Sequence, residues 1–181
     1  MLGELAEIKA AGAEGVLLRE PSLCDRDMLD LAFAAREIFS DGWLGVHDRA
    51  HIGQSVSADG IHLGYRSLGP EVAKGVVGVE AALGVSHHEE ELNDSSMLAD
   101  YRFISPVFAP TSKASSLSPL GLSALKSASM KSRTWALGGM NADVLRAVLE
   151  CGPAGVAAIG GVFSEGRPGA NMERLLRVAR A

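Results

Sequence analysis

The sequence predicts an α/β fold on a parallel sheet, with a barrel as its preferred form. Short apolar runs rich in β-favouring residues recur along the chain, and segments of helical period separate them. Strand then helix, repeated, makes neighbouring strands parallel. The runs are unbroken instead of alternating, as strands covered on both faces are. A (β/α)8 TIM barrel or a doubly wound sheet satisfies this better than an antiparallel sheet does.

Taken in order, a helical segment from Leu2 to Ala11 precedes the first apolar run, GVLL (15–18). Arg26 to Phe39 sets Met28, Leu31, Ala32, Ala35 and Ile38 on one helical stripe, and WLGV (43–46) follows it. GIHL (60–63), ALGV (82–85), YRFI (101–104), TWAL (134–137) and GVAAI (155–159) complete a set of about seven strands. Between the last two, Ala142 to Leu149 carries Val144, Leu145 and Val148 at helical spacing. Trp43 and Trp135 fall on strands and are expected in the core. A closed barrel needs eight strands, and the first, which should precede the helix at Leu2, is missing from this sequence. Either Met1 falls after that strand, or something else, such as a partner subunit, closes the barrel; an absent strand leaves an unpaired edge.

With 181 residues, 47% of them hydrophobic, the chain is read as one domain spanning 1–181. No apolar run reaches the roughly 18 residues of a membrane span, and MLGELAEIKAAG mixes charge with apolar residues as a helix does, not as a signal peptide does. A soluble, cytoplasmic protein is expected. Cys24 and Cys151 are too few for a disulfide framework and are expected as core thiols. A net charge of −5 with scattered basic residues argues against nucleic acid and membrane partners and for a small molecule.

In a parallel barrel the site lies at the C-terminal ends of the strands. The residues there are Arg19-Glu20-Pro21, His47-Asp48-Arg49, Gly64-Tyr65-Arg66, Ser86-His87-His88, Ser105-Pro106, Gly138-Gly139 and Gly160-Gly161. Gly138-Gly139 precedes a helix that Asn141 is suited to cap, and Gly160-Gly161 follows the last strand, so bare glycine amides can receive a phosphate at both places. Glycines that simply turn the chain are the alternative. Segment 105–119, with Thr111, Ser112 and Lys113, reads as a loop able to close over a phosphorylated substrate, or as a solvated linker. His47, Asp48 and His51 have an HDxxH spacing, which can hold a metal only if the segment is helical. Asp48 is better read as a ligand of substrate-bound Mg²⁺, or as the cap of a helix beginning at Arg49. His62 lies in a strand, where a core histidine and a functional one are both open.

These residues in order resemble the thiamine phosphate synthase/TenI family. The matching stretches are LLREP, VHDRAHI, ADGIHLG, GVSHHEEEL, ADYRFISPVFAPTSK, PLGL, WALGGM and GPAGVAAIGGVF, from Gly15 to Phe163. The resemblance implies a (β/α)8 fold, usually dimeric, so a homodimer is expected. In the synthase branch, a pyrimidine diphosphate dissociates with Mg²⁺ assistance and the nitrogen of a thiazole phosphate captures the cation. By the resemblance Arg19 is the diphosphate-binding arginine and Asp48 the first Mg²⁺ aspartate. Ser86, Ser112 and Lys113 keep the hydroxyl and lysine positions, and Gly138, Gly139 and Gly160 the small residues around the thiazole phosphate. The pattern departs at Leu17, Pro21, His47 and Ser67, which stand in place of a glutamine, a lysine, an asparagine and the second Mg²⁺ aspartate. Gly160 replaces a common serine, and Ala109-Pro110 the usual Pro-Thr. The losses fall on the diphosphate and Mg²⁺ side. TenI-type members instead aromatise a thiazole phosphate tautomer, but Pro106 stands where their histidine belongs, leaving His47, His62 or His87 as candidate bases. A noncatalytic phospho-ligand binder or partner subunit is the third expectation.

Overall fold

The structure, a computed structural model, describes residues 1–64, 67–78, 80–87, 98–109 and 117–181. In chain order it contains α1 (Leu2–Ala10), β1 (Gly15–Leu18), α2 (Asp25–Ile38), β2 (Trp43–His47), α3 (Ala50–Ser55), β3 (Gly60–Leu63), α4 (Pro70–Val77) and β4 (Ala82–His87). There follow β5 (Tyr101–Ile104), α5 (Gly121–Lys131), β6 (Thr134–Ala136), α6 (Ala142–Leu149), β7 (Gly155–Val156), α7 (Gly160–Phe163), a 3-10 turn (Ser164–Gly166) and α8 (Pro168–Ala179). The fold is α/β with seven parallel strands. It divides into two compact units, of which Met1–Val85 form most of one and Tyr101–Ala181 most of the other.

In the first unit β1, β2, β3 and β4 lie side by side in chain order, with no reversal of the kind a doubly wound sheet requires. Leu44, Val46, Ile61 and Leu83 are wholly buried. They share the face that α2 and α3 cover with Met28, Ala32, Ala35, Phe39 and Ile52. The opposite face carries Gly15, Leu17, Trp43, Gly45, His47, Gly60 and His62, in register across the strands. A Cβ on Gly15, Gly45 or Gly60 would collide with Trp43, so three glycines make room for one indole. Trp43 is half-buried and packs against these glycines.

The aspartates that precede β3 and β5, Asp59 and Asp100, are structural. Asp59 accepts from Leu44 N–H at 2.7 Å and from Arg36, which also donates to the carbonyls of Phe39 and Gly42. Asp100 repeats the device one strand pair later, accepting from Leu83 N–H at 2.7 Å and from Lys74 at 3.4 Å. Both aspartates sit just before strands, at the end of the sheet where this architecture keeps its stability.

In the second unit β5, β6 and β7 are again in chain order. Ile104, Val107, Leu125, Ala128, Ala136, Met140 and Val148 form the core between sheet and helices. Trp135 lies over Gly155, where a Cβ would come within 2.5 Å of the indole. Asn141 caps α6 as expected, its Oδ1 accepting from Asp143 N–H at 2.9 Å and Val144 N–H at 3.3 Å.

Two expectations are corrected, at GVAAI and at Cys24, while Cys151 packs against the core of the second unit. GVAAI forms a strand only at Gly155–Val156; Ala157 N–H still reaches Ala136 O at 2.9 Å, then the chain turns into α7. The ladder stops because no further described strand lies beyond β7 to extend it. Cys24 is not a core thiol: it is exposed at the N-cap of α2, where its extended backbone turns the side chain out. Cys151 is half-buried, with its thiol near the carbonyls of Leu122 and Ala147.

Candidate functional site

In the first unit, the polar residues gather after β1, β2 and β3. Arg19 follows β1 and is exposed, and its charge is felt by His47 at the end of β2. The His47 ring rests on Gly64, where a Cβ would lie 3.3 Å from Cε1 and Nε2. It stands opposite His62 in the ladder, with ring centroids 5.7 Å apart. Burial, and then the neighbouring Arg19 cation, hold the His47 imidazole below its ordinary pKa, against the opposing pull of Asp48. His62 is 1% exposed, which makes it the core histidine of the two.

Asp48 is exposed and adopts φ 70, a left-handed conformation that non-glycine residues rarely take. Its N–H donates to His62 O at 2.9 Å. Its carboxylate accepts from no other group among the described residues. The expectation that it caps the next helix is corrected: α3 begins at Ala50 with Arg49 at the N-cap position and no side-chain cap. The HDxxH spacing also fails to converge. A turn separates His47 on its strand from His51 on α3, and His51 Nε2 meets Asp25 Oδ2 at 3.1 Å instead. Among the described residues no three His, Cys, Asp or Glu side chains are grouped to hold a metal. Ser67 is committed locally, its Oγ accepting from Gly64 N–H at 2.8 Å.

Arg49 is the residue the sequence left without a role. Its guanidinium donates to the carbonyls of Leu23 and Cys24, in the loop that follows Arg19. The contact joins residues about twenty-five positions apart, and no local spacing announces it.

In the second unit, the loop after β5 lies along the loop after β6. Val107 N–H donates to Leu137 O at 2.9 Å and Phe108 N–H to Gly138 O at 3.1 Å. Gly138 and Gly139 have φ 97 and 67, and a Cβ on them would sit 2.6 Å from Pro106 and Phe108 respectively. Glycine is required there by both the backbone and the close approach. Pro106 is buried against Gly138, so an apolar ring fills the position where the resemblance calls for a base. Gly160 and Gly161 open α7, and a Cβ on Gly161 would run into Met140 O. The glycine pairs thus belong to touching loops, and among the described residues nothing accepts from the N–H groups of Gly138, Gly139, Gly160 or Gly161. Close packing and open amides coexist at the same glycines. Ser86 and His87 end β4, and Ser86 is half-buried. Thr111, Ser112, Lys113 and His88 lie outside the described residues.

The family profile described as thiamine monophosphate synthase matches residues 2–162. The thiamine-phosphate synthase of Moorella thermoacetica is 34% identical over 175 residues, covering 93% of this chain and 83% of that protein. That of Desulfitobacterium hafniense is 32% identical, covering 97% of this chain and 89% of its own. Among solved structures, a thiamine phosphate pyrophosphorylase from Pyrococcus furiosus superposes with a TM-score of 0.89 at 27% identity, covering 99% of this chain and 89% of the other.

Proposed function

Because the chain belongs to the thiamine monophosphate synthase family, we propose that it joins a pyrimidine diphosphate to a thiazole phosphate, forming thiamine phosphate and releasing diphosphate. The observation that carries this reading is the pairing of Arg19 and Asp48 after neighbouring strands, one a cation and the other a carboxylate without a described partner. Those are the charges that a departing diphosphate and its counter-ion need. A tautomerase needs neither.

The chemistry has two parts. The bond from the pyrimidine methylene to the diphosphate oxygen breaks, and the diphosphate leaves with the electron pair. Arg19 neutralises part of that charge as it develops. The thiazole nitrogen then donates its lone pair to the methylene cation. The open amides of Gly138, Gly139, Gly160 and Gly161 hold the thiazole monophosphate, whose charge they match without a cation. Asp48 fits a Mg²⁺ that arrives with the diphosphate, since such an ion takes one or two carboxylates plus phosphate oxygens and water. When bound, it would stabilise the leaving group as a Lewis acid. Ser67 brings no charge and its hydroxyl is already engaged. With Leu17 and Pro21 also apolar, the chain is a slow member of its family, by about 10³-fold.

A tautomerase using His47 is the second reading, favoured by one observation: a half-buried imidazole kept neutral beside Arg19. Supplying the purified protein with each set of substrates separates the two. The synthase reading expects thiamine phosphate from both precursors with Mg²⁺, and no aromatisation of the thiazole tautomer alone. Tautomerisation abolished by His47→Ala, with no thiamine phosphate formed, would replace it with the second.

A further inference from the structure

Between β2 and α3 the backbone reverses in two consecutive three-residue turns. Arg49 N–H donates to His47 O at 2.9 Å, and Ala50 N–H donates to Asp48 O at 2.8 Å. The second turn, centred on Arg49 at φ −77 and ψ 75, is the common kind. The first, centred on Asp48 at φ 70, is the rare and strained kind. Strain of that sort persists only where the surroundings hold it in place. The Asp48 N–H bond to His62 O holds one side of the turn, and the next residue holds the other. The Arg49 side chain leaves the turn and donates to Cys24 O at 3.3 Å and to Leu23 O, with Asp25 Oδ1 3.5 Å away. All three partners lie in the segment that runs from Arg19 into α2. The Arg49 side chain is 20% exposed; its bond to Leu23 O is partly shielded from water, while Cys24 O and Asp25 lie nearer the surface. Two carbonyls and a carboxylate on one planar fork form an arrangement that a lysine ammonium cannot reproduce.

We propose that Arg49 is a positioning residue: it ties the loop after β1 to the turn after β2 and so fixes Arg19 and Asp48 relative to each other for the diphosphate. The inference rests on the synthase reading. Arg49 touches no substrate atom; it acts through the two residues that do.

The test uses the full chain with Arg49→Ala and Arg49→Lys. Amide hydrogen exchange over residues 19–24 reads the clamp directly, and calorimetry with inorganic pyrophosphate and Mg²⁺ reads its consequence. Exchange in that loop is expected to accelerate about tenfold in both variants. The pyrophosphate Kd should rise about tenfold in Arg49→Ala and by less in Arg49→Lys, while the KM for thiazole phosphate stays within about twofold. Adding Arg49→Ala to Arg19→Ala should then weaken binding little further, because the two act as one unit. Faster exchange with unchanged pyrophosphate affinity in the folded Arg49→Lys protein overturns the proposal, reducing Arg49 to a structural role. Unchanged exchange overturns it as well. A wild-type protein that does not bind Mg²⁺-pyrophosphate at all brings down the synthase reading, and the proposal with it. That outcome is seen without any variant, so the two failures are told apart.

Discussion

Asp48 combines an unfavourable backbone angle with a carboxylate that no described neighbour uses, and substitution can separate the two. Glycine removes the penalty of a Cβ in the left-handed region, about 1–2 kcal/mol. Asp48→Gly should therefore melt higher than the wild type while losing Mg²⁺-dependent synthase activity by about 10²-fold or more. Lower stability in thermal melts would mean that the carboxylate has a structural partner. Gly138 gives the opposite case. A methyl group there meets both a φ of 97 and the Pro106 ring at 2.6 Å, so Gly138→Ala should destabilise by at least about 2 kcal/mol in urea unfolding. At this scale the sequence was only partly legible. Arg19, Asp48 and the glycine pairs stand out by residue type and by their place after strands. The turn that strains Asp48 does not, because a dihedral angle depends on hydrogen bonds to His47 and His62 that spacing does not encode. The role of Arg49 depends on a loop more than twenty residues away in the chain.

Elements were easier to read than sites. Parallel strands covered on both faces are written as continuous apolar runs, so GVLL, GIHL and YRFI gave β1, β3 and β5 at the expected residues. GVAAI carries the same pattern yet pairs only at two residues, because strand length depends on neighbours as well as on composition. The links between elements carry a pH dependence. Burial raises the Asp59 pKa, but hydrogen bonds from Arg36 and Leu44 N–H outweigh it and hold the carboxyl below its ordinary value of 3.8. The folded state thus releases its proton more readily than the unfolded one does. That contribution is fully present above about pH 3.8 and is lost as pH falls through the lowered folded value. Asp59→Asn should be less stable than the wild type at neutral pH by about 1–2 kcal/mol, a figure limited by the partial exposure of the pair. The gap should close in acid unfolding curves taken below that range. A gap of constant size across pH would contradict the assignment.

At the scale of the molecule, the family assignment rests on agreement along nearly the whole chain, from residue 2 to residue 162. The polar residues divide with the fold. Arg19, His47, Asp48 and Ser67 lie in the unit formed mainly by Met1–Val85, and the glycine pairs in that formed mainly by Tyr101–Ala181. The departures expected from the resemblance on the diphosphate side, at Leu17, Pro21, His47 and Ser67, fall in the first. The proposed reading is of a protein that keeps the monophosphate site and performs the diphosphate step with fewer charges. Diphosphate release tests this most directly. With the pyrimidine diphosphate, the thiazole phosphate and Mg²⁺ all present, diphosphate should appear in equal amount to thiamine phosphate, at a rate about 10³-fold below that of a family member with the full set of charges, and fall further in Asp48→Asn. No thiamine phosphate at any Mg²⁺ concentration, or diphosphate release that does not require the thiazole phosphate, would contradict it.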